Sequence, residues 1–184
     1  MPRPYNRRSF LKASLFTTLA LLHGKHGFAG LPAGTNRPTS LHLYNIHTGE
    51  QAQVPFRDED GRHIRQGLDQ LNWLLRCHYT NEQHPIDLHT LDFLKLVDNE
   101  MGGDNEIHVI SGYRSPNYNK RLLERGHKVA KGSLHLSGRA LDIRIPGTDL
   151  ASLQQTALSL RLGGVGYYPA DNFVHIDSGA FRTW

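Results

Sequence analysis

From residue 41 onward the apolar positions follow two rhythms. Leu41 and Leu43 alternate with polar neighbours and, with Tyr44, begin a strand that residues 45–49 turn back through Ala52 and Val54, which reads as a hairpin. The rhythm then lengthens. Ile64, Leu68, Leu71 and Leu75 recur at three and four residues and predict a helix over about residues 62–79. Leu91, Leu94 and Val97 predict a second over about 87–101, behind Asp87 as N-cap. Residues 107–110 read as a strand that runs into Ser111-Gly112-Tyr113-Arg114-Ser115. Residues 116–125 read as a short helix that Pro116 opens and Gly126 stops, and 128–137 as irregular. A strand follows at 139–145, Thr148 or Asp149 caps a helix to about 162, and 165–168 with 173–177 form a closing strand pair. Helices set before strands imply an α+β fold, a small and mainly antiparallel sheet packed with helices.

The first thirty residues have a different pattern. Arg3, Arg7, Arg8 and Lys12 precede the apolar run of residues 13–22, and no acid interrupts them. That is the layout of an export signal, with an apolar stretch too short for a span of about twenty residues. Gly27-Phe28-Ala29 supplies the small-x-small pattern for cleavage after Ala29. Asn6-Arg7-Arg8-Ser9-Phe10-Leu11-Lys12 resembles a twin-arginine signal, which implies passage of a folded chain through the twin-arginine translocase to the periplasm. The expected organisation is a signal at 1–29, a flexible lead-in at 30–40 and one working domain at 41–184, with no lasting membrane anchor.

Export changes the meaning of the charge. The formal net charge of +4 includes five of the 21 basic residues in the signal, and without them 16 basic residues face 17 acidic ones. A near-neutral domain lacks the basic patch that nucleic-acid binding needs. The sole cysteine, Cys77, cannot form an intramolecular disulfide, and its apolar-periodic setting makes it a core residue.

Twelve histidines are present, and His63, His78, His84 and His89 sit among polar residues, as solvated surface. His135 and His175 are polar groups planted in apolar surroundings. Along 139–145, Leu141, Ile143 and Ile145 take one strand face while Ala140, Asp142 and Arg144 take the other. In the closing strand His175 shares a side with Phe173 and Asp177, opposite Val174 and Ile176. If these strands are neighbours, Asp142, His175 and Asp177 share a sheet face, and His135 reaches it from the preceding loop. Two imidazoles and a carboxylate suit Zn²⁺ with a fourth position open to water, the arrangement of a catalytic ion. The same pattern fits two hydrogen-bonded core histidines, with Asp142 paired to Arg139 or Arg144.

Ile110-Ser111-Gly112-Tyr113-Arg114-Ser115, Ser133-x-His135-x-x-Gly138-x-Ala140-x-Asp142, Gly163-Gly164-Val165-Gly166-Tyr167-Tyr168-Pro169 and Phe173-Val174-His175-Ile176-Asp177-Ser178-Gly179 together resemble the YcbK-type murein endopeptidases. That group, the murein endopeptidase K family, is similar to the zinc D-Ala-D-Ala carboxypeptidases of the LAS group. The resemblance runs from about residue 41 to 184. It implies a Hedgehog/DD-peptidase-like fold and hydrolysis of peptide cross-links between peptidoglycan stem peptides, including 3-3 links between diaminopimelate residues. It makes His135, Asp142 and His175 zinc ligands and places Arg114 by the substrate carbonyl, where a fixed cation would stabilise an oxyanion. Ser133 or Ser137 would steady the loop, and Tyr167 and Tyr168 either line the cleft or pack. Many relatives carry an acidic general base three residues before the last histidine, where this chain has Asn172. Asp177 is then the favoured base, ahead of Asp171 and His127, or else it orients a ligand imidazole. Two other readings stand beside this one. In a carboxypeptidase, Arg114 or Lys131 would hold a terminal carboxylate; a murein-binding module would have lost turnover.

Overall fold

The computed structural model describes residues 38–127 and 129–184. The expected signal, its twin-arginine motif, the Ala29 cleavage point, most of the lead-in and Lys128 lie outside the described residues. Strands β1 (Thr39–Asn45) and β2 (Gln51–Arg57) form an antiparallel hairpin with Leu41 opposite Val54. Its turn closes on Asn45, whose Oδ1 accepts the His47 and Thr48 N–H groups at 3.0 and 3.3 Å.

Helix α2 (Leu88–Glu100) starts as its sequence implies, with the Asp87 carboxylate accepting the Thr90 N–H at 3.2 Å. Helix α1 (Arg65–Leu74) is shorter than the 62–79 expected. A bridge between Arg57 and His63 delays its start. At its end the carbonyls a helix leaves orphaned are taken from outside. Asn45 Nδ2 donates to Leu74 O at 2.9 Å and the Tyr113 N–H to Leu75 O at 2.8 Å. The chain can therefore turn away and bury Cys77, which is 1% exposed.

Strand β3 (Glu106–Ser111) leads to α3 (Pro116–Glu124), capped by Ser115 with Pro116 in its first turn. The stretch read as irregular contains a one-turn 3-10 helix, Leu134–Ser137. Then follow β4 (Ala140–Arg144), α4 (Leu150–Leu160) behind Asp149, β5 (Gly164–Tyr168), β6 (Phe173–Asp177) and a short β7 (Arg182–Thr183) that no sequence pattern announced.

The seven strands form one sheet in the order β2-β1-β3-β4-β6-β5-β7. The fold is a mixed α/β arrangement of helices and sheet, but the expectation of a mainly antiparallel sheet is corrected: the sheet is mixed. β1 runs parallel to β3 and β5 parallel to β7. The first of these pairs arises because α1 and α2 lie between β2 and β3, a crossover long enough to bring the chain back alongside β1 in the same direction.

One sheet face is buried. Leu41, Leu43, Ile107, Val109, Leu141, Ile143, Val174 and Ile176 cluster there with Leu71 of α1, Leu91 and Leu94 of α2, and Leu153 and Ala157 of α4. Each of the Leu, Ile and Val side chains contributes roughly 1.5–3 kcal/mol by leaving water. Strand alternation sends Tyr44, His108, Arg144, Asp142, His175, Phe173 and Tyr168 to the other face. The candidate metal site lies on that face.

A candidate metal centre

Asp142 and His175 are direct partners in the β4–β6 register, as the alternation implied. A bulge in the β3–β4 pairing, after Val109, sets Ser111 opposite Asp142 and turns the 111–115 segment over the site. His135 arrives from the 3-10 turn, which ends at Gly138 in the left-handed region (φ 65°). There a Cβ would stand 2.3 Å from Pro85 O, so only glycine lets the chain pass.

Three atoms able to ligate a metal converge. His175 Nδ1 is 2.8 Å and His135 Nε2 3.2 Å from Asp142 Oδ1, and the two nitrogens are 3.3 Å apart. All three residues are at most 8% exposed. The remaining ring nitrogens fix the tautomers. His135 Nδ1 donates to Gly112 O at 2.8 Å, and His175 Nε2 donates to Asp177 Oδ2 at 3.0 Å. Neither oxygen can donate, so each neutral ring turns a lone pair toward Asp142. Two lone pairs and a carboxylate oxygen within such distances repel one another unless a cation or an added proton lies between them. The donor set, two nitrogens and one oxygen, fits a zinc-like ion with room for a further ligand.

The electrostatics agree. Burial would raise the Asp142 carboxyl, but His135 and His175 hold it well below the usual carboxylate range. Burial would lower the His175 imidazole, yet Asp142 and Asp177 outweigh it and raise it. The field that favours a proton there also favours a metal ion.

Asp177 is fully buried and saturated. Besides His175 it accepts two bonds from Arg182, at 2.7 and 3.0 Å, and the N–H groups of Gly179 and Gly164 at 2.8 and 3.2 Å. Burial opposes ionisation, but His175, Arg182 and Gly179 hold the carboxyl well below its usual range. This geometry suits the orienting role and not the favoured role of base, since a carboxylate with all its lone pairs engaged is a poor proton acceptor. Arg182-Thr183-Trp184 fits the family resemblance, but no role for Arg182 was legible, because nothing in the terminal segment shows that it folds back onto Asp177.

Arg114 is 7% exposed and lies 3.5 Å from Asp142 Oδ2, with weak contacts to Ser111 Oγ and Asn119 Oδ1 at 3.4 and 3.5 Å. Its Nε is buried without a partner, a donor left available beside the cluster. Arg139 instead binds Ser178, so Asp142 pairs with neither Arg139 nor Arg144. Tyr167 packs against the core while Tyr168 accepts a 2.7 Å bond from Trp184, whose ring lies 5.3 Å from His175. Ser137 Oγ donates to Leu134 O at 3.2 Å, and Ser133 makes no side-chain cap. His127 and Asp171 are exposed. His78 and His84, expected at the solvated surface, are half-buried: His78 stacks on His47 at 3.8 Å and His84 on Tyr113 at 4.8 Å.

Comparison with known proteins gives the family. Residues 33–184 match the family described as "Peptidoglycan L,D-endopeptidase MepK". The chain is 40% identical over 179 residues to proteins of that name from Escherichia coli (strain K12) and Shigella flexneri, covering 97% of each chain. It is also 40% identical over 151 residues to the "Probable peptidoglycan L,D-endopeptidase MepK" of Haemophilus influenzae, covering 82% of this chain and 81% of the other.

Proposed function

Because the chain belongs to the peptidoglycan L,D-endopeptidase family and is a peptidoglycan-hydrolysing peptidase, we propose that it is a zinc enzyme cutting peptide cross-links between stem peptides, 3-3 diaminopimelate links among them. The observation that carries the zinc assignment is the convergence of His135 Nε2, His175 Nδ1 and Asp142 Oδ1, with both outer ring nitrogens committed elsewhere. A zinc ion held there would polarise the scissile carbonyl and lower the pKa of a water molecule toward about 7.

The protein's own groups supply the rest. Gly112 O and Asp177 hold the two imidazoles in the ligating orientation, with Arg182 fixing Asp177 in turn. The Arg114 guanidinium stabilises negative charge that develops on the substrate carbonyl oxygen. Trp184 and Tyr168 form a wall beside His175. We assign the work to a periplasmic domain at 41–184, exported by the twin-arginine route with cleavage after Ala29; the basic and apolar pattern of residues 3–29 supports this. No helix among the described residues is long and apolar enough to cross a membrane.

Digestion of purified murein, with and without a chelator, tests the reading. Activity should vanish on chelation and return with Zn²⁺, and the released products should identify the bond. Full digestion by the chelated, metal-free protein would rule out the zinc mechanism.

A further inference from the structure

Two residues beyond Asp142, on the same strand face, Arg144 opens into a cavity of about 330 Å³ that it lines with His108, Pro146, Thr148, Leu150 and Asn172. His108 is its register partner on β3. Among the described residues the Arg144 guanidinium has no hydrogen bond or ion pair, although it is only half exposed to solvent. A half-buried arginine without an acid is unusual, since Arg is kept inside chiefly where a carboxylate or phosphate meets its fork. The acid on the neighbouring strand is already engaged: Glu106 accepts from Gln51 at 2.6 Å and contacts His108 at 2.9 Å. Asn172, which lines the same cavity, is a neutral amide and offers Arg144 no charge. His108 adds a buried Nδ1 without a partner.

We propose that this cavity is a substrate subsite and that Arg144 binds a free carboxylate of the stem peptide beside the scissile bond; the proposal rests on the peptidoglycan-hydrolase reading of the neighbouring centre. The spacing fits. Two strand residues cover about 7 Å, and an extended peptide advances roughly 3.3 Å per residue, so a carboxylate on a residue flanking the bond reaches Arg144 while its carbonyl lies at the metal centre. The ligand class is a diamino-acid residue whose second carboxyl is not in peptide linkage. Arg144 is thus a specificity residue, and Asn172 acts by leaving it unneutralised.

The test uses the full chain with two cross-linked muropeptides that differ at one group, the free carboxylate of the diamino acid or its carboxamide. A charge-assisted pair of this kind discriminates by roughly ten- to a hundredfold, so wild type should prefer the carboxylate form by that factor, mainly through KM. Arg144→Gln should bring the two substrates to within about threefold of each other at unchanged metal content. Asn172→Asp, which introduces an internal acid and needs no loss of Arg144, should reduce the preference in the same direction. Equal hydrolysis of both substrates by wild type, or an unaltered preference in Arg144→Gln, overturns the subsite while leaving the hydrolase intact. Hydrolysis of neither substrate by wild type overturns both.

Discussion

Asp142 and His175 stand directly opposite each other on adjacent antiparallel strands, with Oδ1 and Nδ1 2.8 Å apart. That pairing makes two of the three candidate ligands a property of sheet register, since a one-residue slip would send the two side chains to opposite faces. The first prediction follows from it. His175→Ala or Asp142→Asn should lower bound metal from about one ion per chain to a small fraction of that, because two remaining ligands hold zinc poorly. Elemental analysis of dialysed protein measures it, and far-ultraviolet circular dichroism should show the fold retained.

Asp177 accepts from His175 Nε2 and from Arg182, and on the proposed reading it orients the ring and does not take the substrate proton. Asp177→Asn should therefore weaken metal affinity about 10- to 100-fold, the usual effect of losing such an orienting group. Adding excess zinc should restore a large part of the activity. If the variant keeps wild-type metal affinity while turnover collapses, Asp177 is the base after all.

Arg114 should act on turnover. Arg114→Met is expected to lower kcat by about 10²- to 10³-fold, with KM and metal content nearly unchanged, as loss of an oxyanion donor does. A rise in KM at constant kcat would make it a binding residue instead.

Much of this was legible because strand alternation is a strict period. The sides taken by Asp142, His175, Leu141 and Val174 follow from counting, given that β4 and β6 are neighbours. Neighbourhood itself is not local information. The parallel pairing of β1 with β3 depends on how α1 and α2 carry the chain across the core, and the two-residue β7 has no pattern of its own. The early end of α1 was equally hidden, since the groups that take its last carbonyls, Asn45 and Tyr113, are 29 and 38 residues away from Leu74 and Leu75. His78 and His84 read as surface because their neighbours are polar; the stacking rings of His47 and Tyr113 come from other segments.

Gly112 joins the core to the site. A Cβ there would lie 2.3 Å from Leu75 O, backbone that cannot move aside cheaply, while the Gly112 carbonyl orients His135. Gly112→Ala should cost about 1–3 kcal/mol in chemical denaturation and also weaken metal binding, because the displaced carbonyl releases the ring. Unaltered stability would show that the segment relaxes freely.

His78 should leave a mark on the pH dependence of stability. Burial, then His47 and Arg114, lowers its imidazole from 6.5 to about 4. The unfolded chain accordingly takes up this proton first as pH falls, so stability is lost between about pH 6.5 and 4 and levels off below. His78→Gln should remove a part of that loss on the order of 1 kcal/mol, the value being modest because the ring is only partly buried. Urea midpoints at pH 7 and pH 4.5 for both proteins measure the difference; equal loss in both would assign the acid sensitivity to other groups.

The central claim, that a zinc ion at His135, Asp142 and His175 drives hydrolysis of peptidoglycan peptides, is tested most directly by measuring metal content and murein digestion on the same preparations of wild type and His135→Ala. The expected result is one zinc per wild-type chain with loss of cross-linked muropeptides, and neither zinc nor digestion in a folded variant. A folded His135→Ala protein that digests murein at the wild-type rate would contradict it.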